Sequence, residues 1–586
     1  MAEGTWSEPA PRDDAEPRRT GGRLLVGPYR VLRGNRPLAL LSLGYACSSL
    51  GTWLTFISLS ILTYALSHTA TTVALMSFAL LAPPALCAPL VGMLVDHVDL
   101  KRVLLAANGG CALCLLGLTA VRSPATLWIA FPLASAASIG ASVRSPAMSA
   151  FVPRLVAEEA RADANNLKNQ IESVTNVVAP VLSSLLFLTG RAAVGFVVAG
   201  LAYGVAAGVG GVVAVGPRQE AVRTADEGRL GAMLAGFRFL FRENERVLSR
   251  LVLAETGLNV ATGAWYALIV LLCATSFGLG ATSAGFLDAA WAAGGVVGGF
   301  VVAWAPPLRR FGGLFIVGAA GTAVGTVLFG LSPSGLWPFV IVIVSGIADA
   351  ALLIDRGVIL QAATPHDMVG RVFSAFEAAR VVAMVVGTLI VGGLIDAVGP
   401  RGAAVTLGAA GLAGLLLALP SLFQLERALG VRIFLRQVPV MAPLSRRLLD
   451  DLGGRLRREG YPAGAVIVRQ GERGDRLYMV KDGTVEVSVQ DADAPPILVN
   501  VLHKLDYFGE IALIEEIART ATVRARGPVQ VYSLGRADYQ SLIGRAASVD
   551  DAIRATAAAR HAATPRATAE RAASGIGSEP TDAHRS

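Results

Sequence analysis

The sequence predicts an all-α membrane domain of about twelve helices, arranged as two six-helix halves, followed by a C-terminal β-roll with flanking helices. Three observations predict it. The 586-residue chain is 53% hydrophobic and only 16% charged, well outside the soluble average. Nearly all its long apolar runs lie between residues 38 and 425. After Pro439 the pattern changes to short alternating runs, AVIVRQ, LYMVKDGTVEVSV and VQVYSLG, separated by glycines, as half-buried strands require.

A helix crossing about 30 Å of hydrocarbon needs about 20 apolar residues, because its backbone must be satisfied internally. Segments meeting that requirement run 38–66, 71–95, 103–121, 125–150, 168–189 and 192–215, then 247–276, 280–304, 312–331, 336–362, 372–396 and 402–424. The halves are therefore 37–215 and 247–425, joined by a cytoplasmic linker, 216–246. Within that linker GRLGAMLAGFRFLFRENE reads as an interfacial amphipathic helix, since Phe237, Phe239, Leu240 and Phe241 are costly to leave in water. Residues 1–36 read as a disordered cytoplasmic arm without a signal-peptide core, 426–442 as a second linker, 443–562 as the β-roll domain and 563–586 as a disordered tail.

The net charge of +8 does not indicate nucleic acid, because the arginines lie in the arm, the short loops and the C-terminal region. One set of loops holds Lys101, Arg102, Arg154, Arg161, Arg309, Arg310 and Arg371, whereas the alternate set holds Arg122, Arg191 and Arg401. That asymmetry places both termini in the cytoplasm of a multi-pass plasma (inner) membrane protein, and the excess of arginine over lysine points to a GC-rich bacterium. Cys47, Cys87, Cys111, Cys114 and Cys273 all fall in apolar segments, which implies packing rather than disulfides, metal or redox chemistry. No nucleophile, metal cluster or phosphate loop suggests an enzyme, and no cofactor is expected.

The halves echo each other: Arg144 and Pro153 near the fourth span recur at the same offset as Arg356 and Pro365 near the tenth, and Glu172 and Glu377 follow, as a duplicated six-helix unit predicts. Ionisable residues within spans are expensive and face a cavity or a partner. Glu255, Asp288, Asp349 and Asp355 are accordingly candidates for proton coupling or cation recognition, with Arg144, Arg356 and Arg380 as counter-ions. Gly294, Gly295, Gly298 and Gly299 suit close helix packing.

The loop GMLVDHVDLKRVLL, Gly92 to Leu105, resembles the signature loop of the major facilitator superfamily, with His97 and Asp99 where that family has arginine and glycine. SPAMSAFVPRLVAEEARADANNL and HDMVGRVFSAFEAARVV are similar to its drug-efflux and secretion-effector branch. The resemblance implies the twelve-helix transporter fold, and a gating role for Asp96 at the positive end of a neighbouring helix. APPLRRFGG, the corresponding loop of the second half, keeps the basic pair and lacks the aspartate.

FGEIALIEEIARTATV, Phe508 to Val523, resembles the phosphate-binding cassette of cyclic-nucleotide-binding domains, and GERGDRLYMVKDG, Gly471 to Gly483, resembles their preceding turn and strand. The resemblance implies that amides at Ile511 and Ala512 face a cyclic phosphate neutralised by Arg519. It implies also that Glu510 accepts the ribose 2′-hydroxyl, Gly509 permits close approach and Thr520 reaches the phosphate or base. Leu505 stands where the family often has glycine, and Glu515 and Glu516 add negative charge. A helix at Val549 to Ala562 should cover the base.

The expected function is a secondary transporter exporting small amphipathic cargo, regulated by cyclic AMP or cyclic GMP. The alternative is a membrane-tethered cyclic-nucleotide receptor that no longer transports. The partners expected are membrane lipid, cargo and nucleotide, without nucleic acid.

Overall fold

The computed structural model describes Tyr29 and residues 31–190, 192–213, 235–243, 247–304, 312–364, 368–442, 444–490, 495–514, 517–543, 553–556 and 558. Two compact units divide between Leu422 and Phe423. Among the described residues of the first, eleven helical segments are long and apolar enough to cross a membrane. The last, Val369–Gln424, has 56 residues and is broken at Gly399, where φ is 74°. Two crossings of about 20 residues each fit within it, in agreement with the duplicated arrangement.

The first half comprises α1 (Arg36–Ser67), α2 (Ala70–His97), α3 (Leu100–Leu118), α4 (Ala130–Ser142), α5 (Arg144–Leu155), α6 (Arg161–Leu188) and α7 (Ala192–Val212). Here the fourth span is one passage divided into a 3-10 turn, α4 and α5. The Asn35 side chain caps α1 by accepting from the Leu38 amide at 3.0 Å, and Pro37 occupies the first turn where no amide is needed. Asp99, the departure from the family loop, caps α3 through the Lys101 amide at 2.9 Å. The side chain of Asp96 lies outside the described residues. Cys111 donates to the Ala137 carbonyl at 3.2 Å, a packing contact between α3 and α4.

The second half comprises α8 (Val247–Thr275), α9 (Ala284–Trp304), α10 (Gly313–Leu331), α11 (Trp337–Ala363) and α12 (Val369–Gln437, bent at Gly399). Glycine sets its helix spacing. A Cβ at Gly294 would overlap the Ile343 carbonyl oxygen, one at Gly346 the Trp291 carbonyl oxygen, and one at Gly298 would come within 2.7 Å of the Ile347 oxygen. Backbone thus meets backbone between α9 and α11, as small residues permit. Gly299 faces open space, so the glycine run serves packing on one face only. The halves join where Ile57, Ile61, Val73 and Ala74 enter one core with Leu268, Phe277, Leu287 and Val391. Of the linker, residues 235–243 are described; Phe239–Glu243 form a short π-helix, with Leu240 buried and Phe241 exposed, the division of faces an interfacial helix needs.

The C-terminal unit holds two antiparallel four-stranded sheets, ordered β1-β8-β3-β6 and β2-β7-β4-β5. The strands are β1 (Arg457–Tyr461), β2 (Val466–Val468), β3 (Arg476–Asp482), β4 (Val485–Val489), β5 (Ile497–Leu502), β6 (Tyr507–Phe508), β7 (Thr522–Ala525) and β8 (Val529–Gly535). Val480, Val485, Phe508, Val523 and Val531 fill the space between the sheets. Sheet positions facing the other way, Leu477, Met479, Tyr532 and Leu534, pack with Phe434, Leu435, Val438 and Met441 and with Leu449 and Leu452 of α13 (Arg446–Arg455). The segment expected as a linker at 426–442 is therefore helical to Gln437 and supplies core to this unit, because its apolar residues recur at helical spacing.

Two substitutions test the glycine seam. Gly346→Val should lower the thermal midpoint of the purified protein, since overpacking costs about 1–3 kcal/mol, whereas Gly299→Val should leave it nearly unchanged.

Candidate functional site

The C-terminal cassette begins where β6 ends. Gly509 has φ 86°, a left-handed conformation that favours glycine, and a Cβ there would stand 2.6 Å from Arg519 Nη1. The turn leads into the short helix α14 (Glu510–Ile514). Glu510 is 2% and Arg519 6% exposed, and Ala512 is buried. Arg519 Nη1 donates to the Gly509 carbonyl at 2.9 Å and Nη2 to the Arg476 carbonyl at 2.8 Å. Its guanidinium lies 5.8 Å from the centre of the Tyr478 ring, which stacks on Phe508. Among the described residues no carboxylate lies within ion-pair distance of it. Burial pushes Arg519 below its ordinary pKa, with Asp475 and Glu510 among the groups opposing that push. A buried cation held by neutral carbonyls calls for an anion.

The cassette is braced from outside. Arg536, opening α15 (Arg536–Ile543), donates to the Gly474 carbonyl at 2.7 Å and the Ala512 carbonyl at 3.0 Å. Gly474 is needed for approach rather than for turn geometry: a Cβ there would collide with Ala512 Cβ and stand 3.2 Å from Arg519. Gly471 and Gly483 are true turn glycines, at φ 85° and 92°. Leu505 adopts φ 79°, so the residue that replaces the family glycine keeps the glycine conformation at a strain of about 1–2 kcal/mol, supported by its packing against the helical cluster. Ile511 and Thr520 are part-buried at the same turn. Glu515, Glu516 and most of the expected covering helix lie outside the described residues; of it Ile553 is buried in the helical cluster.

In the membrane unit the repeat-related residues form two polar clusters. Arg144 Nη1 pairs with Glu172 at 3.2 Å, its guanidinium covers the Tyr45 ring at 4.7 Å, and the Tyr45 hydroxyl donates to Glu172. Arg356 pairs with Glu255 at 3.1 Å and Glu377 at 3.6 Å, and Arg380 pairs with Glu377 at 2.8 Å. Asp288 stands apart, buried, accepting from Trp265 Nε1 at 2.8 Å. Asp355 accepts from the Gly312 and Phe315 amides at 3.1 and 2.8 Å, which makes it the cap of α10. Asp349 is part-buried on α11. Nothing in the sequence singled out Tyr45, Trp265 or Arg536; for Tyr45 the signal was its place early in α1, close to that of Glu255 in α8.

A bundle of helices long and apolar enough to cross a membrane, followed by a β-roll with a buried cation at a glycine turn, defines a multi-pass membrane protein with an appended β-roll domain. The Major Facilitator Superfamily model matches residues 41–347, and the chain belongs to that family. The model of the cyclic nucleotide-binding domain matches residues 458–546. In this region the chain is 36% identical over 129 residues to a cAMP-dependent protein kinase regulatory subunit of Debaryomyces hansenii, covering 21% of this chain and 28% of that protein. It is 40% identical over 114 residues to the cGMP-dependent protein kinase, isozyme 1, of Drosophila melanogaster, covering 19% and 15%. Among solved structures, the regulatory domain of Toxoplasma gondii PKA with cAMP is 35% identical, covers 23% of this chain and 50% of its own, and has a TM-score of 0.22.

Two outcomes follow for this domain. Arg519→Gln in the full-length protein should weaken cyclic-nucleotide binding by about thirtyfold or more, as losing one partner of a buried charge contact costs about 2–5 kcal/mol, read by calorimetry in detergent. The second concerns acid. Burial raises the Glu459 carboxyl, but hydrogen bonds from Ser533 and Tyr461 and the Arg476 charge outweigh it, so the group lies below its ordinary value. A depressed pKa contributes stability that is complete above the unfolded value of about 4.3 and is lost as pH falls through the folded one. Glu459→Gln should therefore flatten the acid limb of the domain's unfolding profile.

Proposed function

We propose that this protein is a secondary active transporter of the plasma (inner) membrane, an exporter of small amphipathic molecules resembling the drug-efflux branch, with both termini in the cytoplasm. Cyclic nucleotide held at Gly509, Glu510, Ile511, Ala512, Arg519 and Thr520 biases its alternating access.

The observation that carries the regulatory half is Arg519: a nearly buried guanidinium bonded to two carbonyls matches the single negative charge of a cyclic phosphate. The kinase relatives, named for cyclic AMP and cyclic GMP, support either messenger. Family membership supports transport, and the core joining Ile61, Ala70, Phe277, Val391 and Ile395 suits a state closed at the end that carries the arginine-poor loops. Regulation requires only that the ligand prefer one transport state; about 1.4 kcal/mol of preference changes the ratio of states tenfold.

Purified protein in liposomes, with ethidium as the amphipathic probe, tests this. Cyclic AMP or cyclic GMP on the C-terminal side should change ethidium flux several-fold, and Arg519→Gln should abolish the response while retaining basal flux. Flux in the wild type that neither nucleotide alters would remove the regulation; absence of flux would favour a receptor.

A further inference from the structure

The polar cluster of the first half holds more cation than carboxylate. Arg144, which opens α5, pairs with Glu172 of α6 and covers the Tyr45 ring. One turn before Glu172 on α6, the Lys168 ammonium donates to the hydroxyl of Ser145, the chain neighbour of Arg144, at 2.8 Å. The Tyr45 hydroxyl donates to Glu172 as well. Two cations and a phenol therefore stand against one carboxylate, and among the described residues no second carboxylate pairs with Arg144 or Lys168.

Arg144 also lines a cavity of about 20 Å³, room for one particle between a water molecule and a halide ion in size. Four helices enclose it: Tyr45 and Ser48 come from α1, Leu104 and Asn108 from α3, Arg144 from α5 and Val209 from α7. The Nε of Arg144 is buried and has no hydrogen-bond partner among the described residues. Asn108 is 7% exposed, and among the described residues it makes no hydrogen bond. Ser48 gives its proton to the Tyr45 carbonyl at 3.1 Å. A buried N–H without an acceptor is costly, and here two such donor groups border one small space.

The repeat shows what the first half lacks. Arg356, the counterpart of Arg144, meets two carboxylates, Glu255 and Glu377, whereas the first half has the Tyr45 phenol close to the place of Glu255. We propose that the first-half cavity is a site for one monovalent anion of halide size, chloride in the cell. The anion accepts from Arg144 Nε and from the Asn108 amide, and supplies the second negative charge that Glu255 provides in the other half. A water there would satisfy the N–H groups but leave the excess cation uncancelled. It would also need two to four polar partners, and much of the wall is aliphatic, as at Leu104 and Val209. A phosphate or carboxylate exceeds the room available.

Two measurements on the full-length protein test this. In detergent at constant ionic strength, replacing gluconate by chloride should raise the thermal midpoint by about 2–4 °C along a saturating curve, and bromide should act alike. Asn108→Leu should lose most of that rise; halide held at Arg519 contributes equally to both proteins and cancels in the comparison. Equal wild-type midpoints in gluconate and chloride, or an undiminished rise in Asn108→Leu, would overturn the proposal. Crystals of the wild type grown in bromide need no variant: an anomalous peak should lie within hydrogen-bonding reach of both Arg144 Nε and Asn108. A water only at that place, or bromide only as an adventitious ion elsewhere, would equally overturn it.

Discussion

A guanidinium group taken out of water must be met by acceptors placed to receive it, and both units are organised by that demand. In the C-terminal unit the acceptors around Arg519 are carbonyls of Gly509 and Arg476, which satisfy hydrogen bonds without cancelling charge. In the membrane unit the acceptors around Arg144 and Arg356 are carboxylates, which do both. The contrast separates a cation whose immediate partners leave its charge uncancelled from clusters that largely balance themselves.

The glycines of the cassette follow from the same demand. Gly509 and Gly474 leave room for a guanidinium that a methyl group would displace, and Arg536 ties the carbonyls of Gly474 and Ala512 together. In the membrane unit the cations are positioned by whole helices, and the neighbouring side chain decides the character of each cluster: an aromatic ring beneath Arg144, a second carboxylate beside Arg356.

Much of this was legible in the sequence because the forces involved leave periodic or compositional traces. Bilayer thickness imposes apolar length, so the spans could be laid out with a ruler, and duplication exposed Arg144 with Arg356 and Glu172 with Glu377. Glu510 and Arg519 stood out through a motif, and the structure buries both. What stayed hidden depends on juxtaposition. Asp355 reads as a free intramembrane acid until the start of α10 is placed against it. Trp265 carries no trace in the sequence of the polar partner it has, Asp288 at its indole nitrogen. Leu505 gives no local hint that it must adopt a left-handed turn, because tertiary packing overrides its preference. Phe434 to Met441 carry a helical pattern, but only the sheet beneath them shows why it is apolar.

The glycine seams have a mechanical consequence. Gly263 and Gly387 bring α12 against α8, as Gly294 and Gly346 bring α9 against α11. Backbones so close leave no compressible layer of side chains between them, so thermal fluctuation cannot be absorbed by rotamer exchange along those lines. The second half is thereby built as a stiff plate, and the same close approach ties its edge to the first half, where a Cβ at Gly285 would overlap the Pro180 carbonyl oxygen.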